Sequence, residues 1–318
     1  MPDIVISEFM DEATVAELAR DYDVLYEPEL VERPADLKAA LPGARALIVR
    51  NRTQVTDDLL AAGDSLQVIG RLGVGLDNID LAACEARGIP VCPATGTNAV
   101  SVAEYVIAGI LMLRRGAYHA SDRVLAGDWP RTELMGREAA GARLGLVGFG
   151  GIAREVAKRA LALDMRIAAY DPFVEDDEPV WQQSGVSPQA LDPLLSESEV
   201  ISLHVPLTEE TRHLIDAPRL ARMRPDALLI NTARGGIVET AALAEALKAG
   251  RLGGALLDVF EEEPLPANSP LTGVPNLLLT PHIAGVTAES QVRISRATAA
   301  NVRRVLEGSQ AAEEAPSA

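Results

Sequence analysis

Three side chains in this sequence have the types that acid–base chemistry at a carbonyl needs, and each stands a few residues past an apolar run. Arg234 follows Ala227-Leu-Leu-Ile-Asn231 and precedes Gly235 and Gly236. Glu263 follows Gly254-Ala-Leu-Leu-Asp258, and His282 follows Leu277-Leu-Leu-Thr280 and Pro281. A protonated imidazole can give its proton to a carbonyl oxygen as hydride arrives at the carbon, and a neighbouring carboxylate favours the charged imidazole. A guanidinium offers a planar fork for a substrate carboxylate. Residues just past different strands of an open α/β sheet can converge, because such sheets bind ligands at the carboxyl ends of their strands. Each of the three also has a bland reading: surface Arg, solvated Glu in an acidic run, satisfied loop His. Of His119, His204, His213 and His282, only the last lies in a Pro-His-Ile-Ala-Gly turn after a buried run. No His or Cys pair has the spacing of zinc ligands, so no metal is expected, and Cys84 and Cys92 read as ordinary reduced thiols.

A second constellation would bind rather than react. From Arg143 to Asp171 the chain reads as strand, glycine turn, helix from about Ile152 to Leu163, and second strand. In this G-x-G-x-x-G/A pattern Gly148 allows a sharp turn, Gly150 lets the backbone approach a pyrophosphate, and Ala153 lets the helix pack on the strand. The N–H groups and positive dipole end of that helix then face the phosphates. Asp171 ends the second strand, where a carboxylate can bind both ribose hydroxyls and repel a 2′-phosphate. No Arg or Lys follows at Pro172, Phe173 or Val174. The expected cofactor is NAD rather than NADP. A glycine triplet alone is a weak signal; the flanking strand, helix and acid make it specific.

The elements that must position these residues alternate along the chain. Ile4-Val-Ile-Ser, Val24-Leu-Tyr, Ala46-Leu-Ile-Val and Leu66-Gln-Val-Ile-Gly read as strands, with helices at Asp11 to Arg20, Pro34 to Ala40, Thr56 to Ala62 and Asp80 to Arg87. Ser101 to Ala126 reads as mostly helical and apolar, and Ala288 to Leu306 as a last helix long enough to return to the first domain. Near-continuous apolar runs, including Val200-Ile-Ser-Leu-His204, are what a sheet covered on both faces requires. The pattern predicts an α/β protein with two doubly wound parallel sheets, its boundaries near Asn98 and Gly285. The tail after Gly308 is small, polar and acidic and reads as disordered.

At 318 residues the chain can hold two ordinary domains, and no apolar run approaches the roughly 20 residues that span a bilayer. The first residues lack a basic stretch ahead of an apolar one, so a cytoplasmic protein is expected. A net charge of −17 argues against a nucleic-acid partner, which needs a basic stripe. An anionic substrate would then have to be held by local clusters of Arg against an acidic field.

From Ala46 to Val302 the sequence resembles the D-isomer-specific 2-hydroxyacid dehydrogenases. The resemblance is carried by Gly145 to Asp171, Asn231-Thr-Ala-Arg-Gly-Gly, Asp258-Val-Phe-Glu-Glu-Glu-Pro and Thr280-Pro-His-Ile-Ala-Gly. It implies that Arg234 orients the substrate, His282 is the acid/base and Glu263 tunes it. It also implies cofactor contacts from Gly148, Gly150, Gly151, Ile152, Asp171, Val205, Thr232, Ala233, Arg234, Asp258, His282 and Ala284, with Asp258 facing the nicotinamide amide. Gly73-Val-Gly-Leu-Asp-Asn-Ile-Asp80 is similar to the loop whose amides, around Val74 and Gly75, hold the substrate carboxylate. The resemblance implies a Rossmann NAD domain (99–285) inserted into a flavodoxin-like substrate domain (1–98 and 286–318), an active site in the cleft, and a homodimer formed through the segment beginning near Asn98. One departure is Val205, where phosphoglycerate-oxidising members often have Thr.

Arg50, Arg52, Arg71 and Arg131 lie in segments expected on the substrate side, more cation than a simple 2-keto acid needs; pairing with the abundant acids is the alternative. Arg50 and Arg131 are therefore read as contacts to a second anionic group, a phosphate or sulfonate. Val49-Arg-Asn-Arg-Thr and Trp129 to Gly136 are similar to phosphoglycerate-oxidising members, and Ile6 to Glu12 to those acting on (S)-sulfolactate. Hydride transfer between NAD and (S)-sulfolactate is the leading expectation, with phosphoglycerate, hydroxypyruvate or glyoxylate as alternatives. An NAD-sensing corepressor-like protein is the alternative of another class. The chain stops before the regulatory domain of many phosphoglycerate enzymes, so feedback by serine is not expected.

Overall fold

Two sheets, each parallel throughout, organise the computed structural model, which describes residues 1–118 and 120–308. The chain divides into two units, one of Met1–Asn98 with the segment from Val286 onward, the other Ala99–Gly285. The readings made above for His119 and for the tail lie outside the described residues.

The first unit holds β1 (Ile4–Ile6), β2 (Val24–Tyr26), β3 (Ala46–Val49), β4 (Val68–Arg71) and β5 (Val91–Pro93) in the order β2-β1-β3-β4-β5. This is the flavodoxin-like order, and its strand order reverses between β1 and β3 while all strands stay parallel. Side chains alternate between the faces as the pleat requires. Val5, Leu47 and Ile69 pack on one side with Leu37, Leu41, Leu59 and Leu60. Ile4, Ile6, Ile48 and Val68 pack on the other with Leu18 and with Ile294, Val302 and Leu306 of the Ala288–Leu306 helix. That helix is started by a capping box at Thr287 and Ser290. Gly70 lets it approach, since a Cβ there would lie 2.7 Å from Val302 Cγ2.

The second unit holds β6 (Arg143–Val147), β7 (Arg166–Tyr170), β8 (Ser187–Pro188), β9 (Val200–Leu203), β10 (Leu228–Asn231), β11 (Gly254–Leu257) and β12 (Leu277–Leu279), in the order β12-β11-β10-β9-β6-β7-β8. This is the doubly wound dinucleotide-fold order with one added edge strand, and it reverses between β6 and β9. Leu144, Leu146, Leu228 and Ile230 face the Ala99–Arg115 and Gly151–Leu161 helices, while Leu203, Leu229 and Leu257 face the Leu191–Glu197 and Thr240–Lys248 helices. The fold is the expected pair of doubly wound α/β sheets. Residues 101–126, expected to be mostly helical, are so in two pieces. Ala99–Arg115 ends where Gly116 turns to φ 61°, and a short helix follows at Ser121–Leu125. No described helix is long and apolar enough to cross a membrane.

Candidate active site

In the second unit the strand reversal puts the turn after β6 beside the end of β9. Gly148 takes φ 91°, and a Cβ there would lie 2.5 Å from the His204 carbonyl oxygen, so only glycine fits. The Gly151–Leu161 helix starts from Gly150, which supplies no side chain to cap it, and a Cβ at Gly151 would meet nothing within 4 Å. Its first N–H groups thus have the form of a phosphate cradle. Asp171 follows β7 directly. Its Oδ2 accepts from the Phe149 amide at 2.8 Å and its Oδ1 from the Phe173 amide at 3.0 Å. It thereby ties the glycine turn to the β7 end, and a carboxylate keeps lone pairs for further donors. Thr232 Oγ1 is buried without a hydrogen-bond partner among the described residues, as a group reserved for a ligand would be. The side chain of His204 contacts Ser202 Oγ at 2.9 Å, and burial pushes its pKa down to about 4, so it adds no charge near the turn. These features fit a dinucleotide.

The reactive residues come from three consecutive strand ends of the same unit. After β10, fully buried Asn231 closes the turn, its Nδ2 donating to the Arg234 carbonyl at 2.9 Å and its Oδ1 accepting from the Ala233 amide at 3.0 Å. Arg234 is half-buried, its Nη1 donating to the Ala233 carbonyl at 2.7 Å. Gly235 then presses onto the next loop so closely that a Cβ would sit 1.8 Å from the Phe260 carbonyl carbon. After β11, Glu263 folds back so that Oε1 accepts from the Phe260 amide at 3.0 Å, leaving Oε2 2.8 Å from His282 Nδ1. The imidazole is thus held through one nitrogen while Nε2 stays available for proton exchange.

His282 itself stands in the left-handed region at φ 55°, uncommon for a residue with a side chain, its amide donating to the Asp258 carbonyl at 2.8 Å. What keeps it there is Asp258, which is fully buried. Oδ1 of Asp258 accepts from Thr280 Oγ1 at 2.5 Å and the Ile283 amide at 2.8 Å, and Oδ2 accepts from the Ala284 amide at 2.7 Å. Tyr105, from the Ala99–Arg115 helix, bonds Thr280 Oγ1 in turn. Asp258 is therefore the clamp of the histidine loop, a job that its place in the motif did not announce. Glu261 in the same loop takes a second histidine, with His213 Nε2 2.9 Å from its Oε1.

The structure thus brings Glu263 and His282 into contact and places the Arg234 turn against the Glu263 loop. In the first unit, Arg50 is half-buried and donates to Gln291 Oε1 at 2.6 Å, and burial lowers the pKa of its guanidinium. Val74 is 41% exposed, and among the described residues neither its amide nor that of Gly75 donates to another backbone group. Arg71 is buried over Gly73, its Nη1 donating to the Leu72 carbonyl at 2.7 Å, and Arg52 pairs with Glu32 at 2.5 Å. Arg131 is exposed in the segment after the Ala99–Arg115 helix.

Known proteins share this construction. Residues 107–284 match the model of the D-isomer specific 2-hydroxyacid dehydrogenase NAD binding domain. The chain is 60% identical over 306 residues to the (S)-sulfolactate dehydrogenase of Chromohalobacter salexigens, covering 96% of this chain and 99% of that one. It is 41% identical to the D-3-phosphoglycerate dehydrogenase of Archaeoglobus fulgidus over 86% of its own length but only 51% of that protein. Among solved structures, the D-lactate dehydrogenase of Aquifex aeolicus complexed with NAD and lactic acid superposes with a TM-score of 0.85 at 32% identity, covering 96% of each chain. With a nucleotide cradle, an Arg turn and a Glu–His pair at the ends of one doubly wound sheet, and kinship along nearly its whole length, this chain belongs to the D-isomer specific 2-hydroxyacid dehydrogenases, enzymes that use NAD.

Proposed function

We propose that the protein interconverts (S)-sulfolactate and sulfopyruvate. The observation that carries this is the 60% identity, over nearly the whole of both chains, to an (S)-sulfolactate dehydrogenase. The stereochemistry agrees with the family. The sulfonate-bearing carbon outranks the carboxyl group, so (S) is here the spatial counterpart of a D-hydroxy acid. NAD, when bound, accepts hydride from C2 of the hydroxy acid or returns it to the keto acid.

The residues that would hold the cofactor are Gly148, Gly150, Gly151 and Ile152 at the pyrophosphate, Asp171 at the ribose, and Val205, Thr232, Ala233, Asp258 and Ala284 along the strand ends. His282 Nε2 takes the hydroxyl proton during oxidation and gives it back during reduction. Glu263 steadies the imidazolium, and Arg234 orients the carboxylate. The Val74 and Gly75 amides also grip that carboxylate, while Arg50 and Arg131 meet the sulfonate. The two units serve as substrate domain (Met1–Asn98 and Val286 onward) and NAD domain (Ala99–Gly285).

A cytoplasmic homodimer is part of the proposal. Its support is the run of exposed apolar side chains Tyr118, Leu125, Trp129 and Met135, of which Leu125 is 85% and Trp129 75% exposed. A second copy of the chain would cover them. Oxidation of the two sulfolactate enantiomers and of D-3-phosphoglycerate, followed as NADH formation, tests the assignment. The (S) enantiomer should exceed the others in kcat/KM by at least about tenfold, the worth of one charge-assisted contact. Preference for phosphoglycerate, or no preference between enantiomers, would contradict it.

A further inference from the structure

The carboxyl ends of β1 and β3 mark the strand reversal of the five-stranded sheet, the place where folds of this order bind ligands. Ile6 of β1 is in register with Ile48 of β3, so two residues further along Glu8 stands beside Arg50. Glu8 is only 4% exposed, which is costly for a carboxylate unless donors surround it. Three surround it, all from one turn: the Arg50 amide at 2.8 Å and the Thr53 amide at 3.0 Å on Oε1, and the Arg52 amide at 3.2 Å on Oε2. Its charge also faces the Arg50 guanidinium, favouring the cationic form that burial opposes.

The carbonyls of the same turn are held from the other side. Buried Asn78 donates through Nδ2 to the Thr53 carbonyl at 2.6 Å and to the Arg50 carbonyl at 3.2 Å. Asn78 belongs to the Gly73–Asp80 loop, which carries the Val74 and Gly75 amides, and its own carbonyl accepts from the Val55 amide at 2.8 Å. Arg50 is thus fixed at its N–H by Glu8, at its C=O by Asn78 and at its side chain by Gln291, whose Nε2 is buried without a partner among the described residues.

We propose that Glu8 is a positioning residue which, through Asn78, locks the Arg50–Thr53 turn to the Gly73–Asp80 loop and so sets the spacing between the two anion grips of the substrate. This rests on the reading of Arg50 and of the Val74 and Gly75 amides as substrate contacts. A Gln at position 8 offers one acceptor oxygen in place of two and turns an NH2 group toward backbone donors, so the turn should open without disturbing the NAD-binding unit.

The test compares the unmodified enzyme, Glu8→Gln, Asn78→Asp and Arg50→Ala, using whichever 2-hydroxy acid the unmodified enzyme oxidises best. KM and kcat are read with saturating NAD, NADH affinity by fluorescence titration, and folding by thermal melting. Glu8→Gln should raise KM by about tenfold or more, the loss of one charge-assisted contact, with kcat and NADH affinity changed by less than about threefold. Glu8→Asp, which keeps the charge, should recover part of the loss. If KM stays within about twofold, or if kcat and NADH affinity fall in step with KM, the positioning role is overturned. Should Glu8→Gln fail to fold, Asn78→Asp, which sets a carboxylate against the Arg50 and Thr53 carbonyls, is judged by the same criteria. If KM rises in Arg50→Ala but not in Glu8→Gln, only the positioning role falls; if Arg50→Ala leaves KM unmoved, the substrate contact and the positioning role fall together.

Discussion

His282 and Glu263 give the most direct handle at the scale of single residues. Replacing His282 with Ala should lower turnover by about 10²–10⁴, the ordinary worth of a positioned general acid, while NADH affinity, measured by fluorescence, stays nearly unchanged. Glu263→Gln replaces the carboxylate 2.8 Å from Nδ1 with an amide that no longer holds the ring as a charged acceptor. Turnover should fall in both directions while NADH affinity stays nearly unchanged. Turnover equal in the two proteins would take Glu263 out of the mechanism. On the proposed reading Asp171 governs cofactor choice in the same local way. Asp171→Ala should raise KM for NAD and increase the ratio of NADP to NAD activity. Equal use of both cofactors by the unmodified protein would refute the ribose assignment.

Among the elements, what the sequence made legible was whatever a local pattern encodes. The β6–helix–β7 unit was readable because strand, glycine turn, helix and Asp171 lie in one continuous stretch, and the apolar runs of β9 to β12 stood out because both sheet faces are covered. The Thr240–Lys248 helix escaped because its alanines give only a faint apolar stripe, and the break after Arg115 in the mostly helical 101–126 segment was not placed because Gly116 carries no periodicity of its own. The clamps around the site were hidden for a different reason. Asp258 and Glu8 act on backbone amides 25 and 42 or more residues away, and side-chain-to-backbone bonds leave no mark on the sequence. Gly235 makes the same point at a contact. Gly235→Ala must separate the Arg234 turn from the Phe260 backbone, and a misplacement of about 1 Å at a catalytic group can lower kcat by about 10²-fold. The expected outcome is that loss in kcat together with a lower melting temperature; normal kinetics would mean that the two loops need not touch.

For the whole molecule, charge and assembly are the open variables. With a net charge of −17 the protein repels its anionic substrate at long range, so the cations that bind it must act close in. Substitution of Trp129 and Met135 by Ser should leave a monomer in sedimentation, whereas the unmodified protein should sediment as the proposed dimer; a monomeric unmodified protein would contradict the proposed assembly. On the proposed reading, Arg50, set by Glu8 and Asn78, meets a second anionic group of the substrate. The decisive measurement is therefore kcat/KM for (S)-sulfolactate beside D-lactate and D-glycerate, followed as NADH formation at saturating NAD, in the unmodified enzyme and in Arg50→Ala. Sulfolactate should be favoured by about ten- to a hundredfold, and Arg50→Ala should erase most of that preference by raising KM for sulfolactate alone. Lactate and glycerate oxidised as efficiently as sulfolactate by the unmodified enzyme would contradict it.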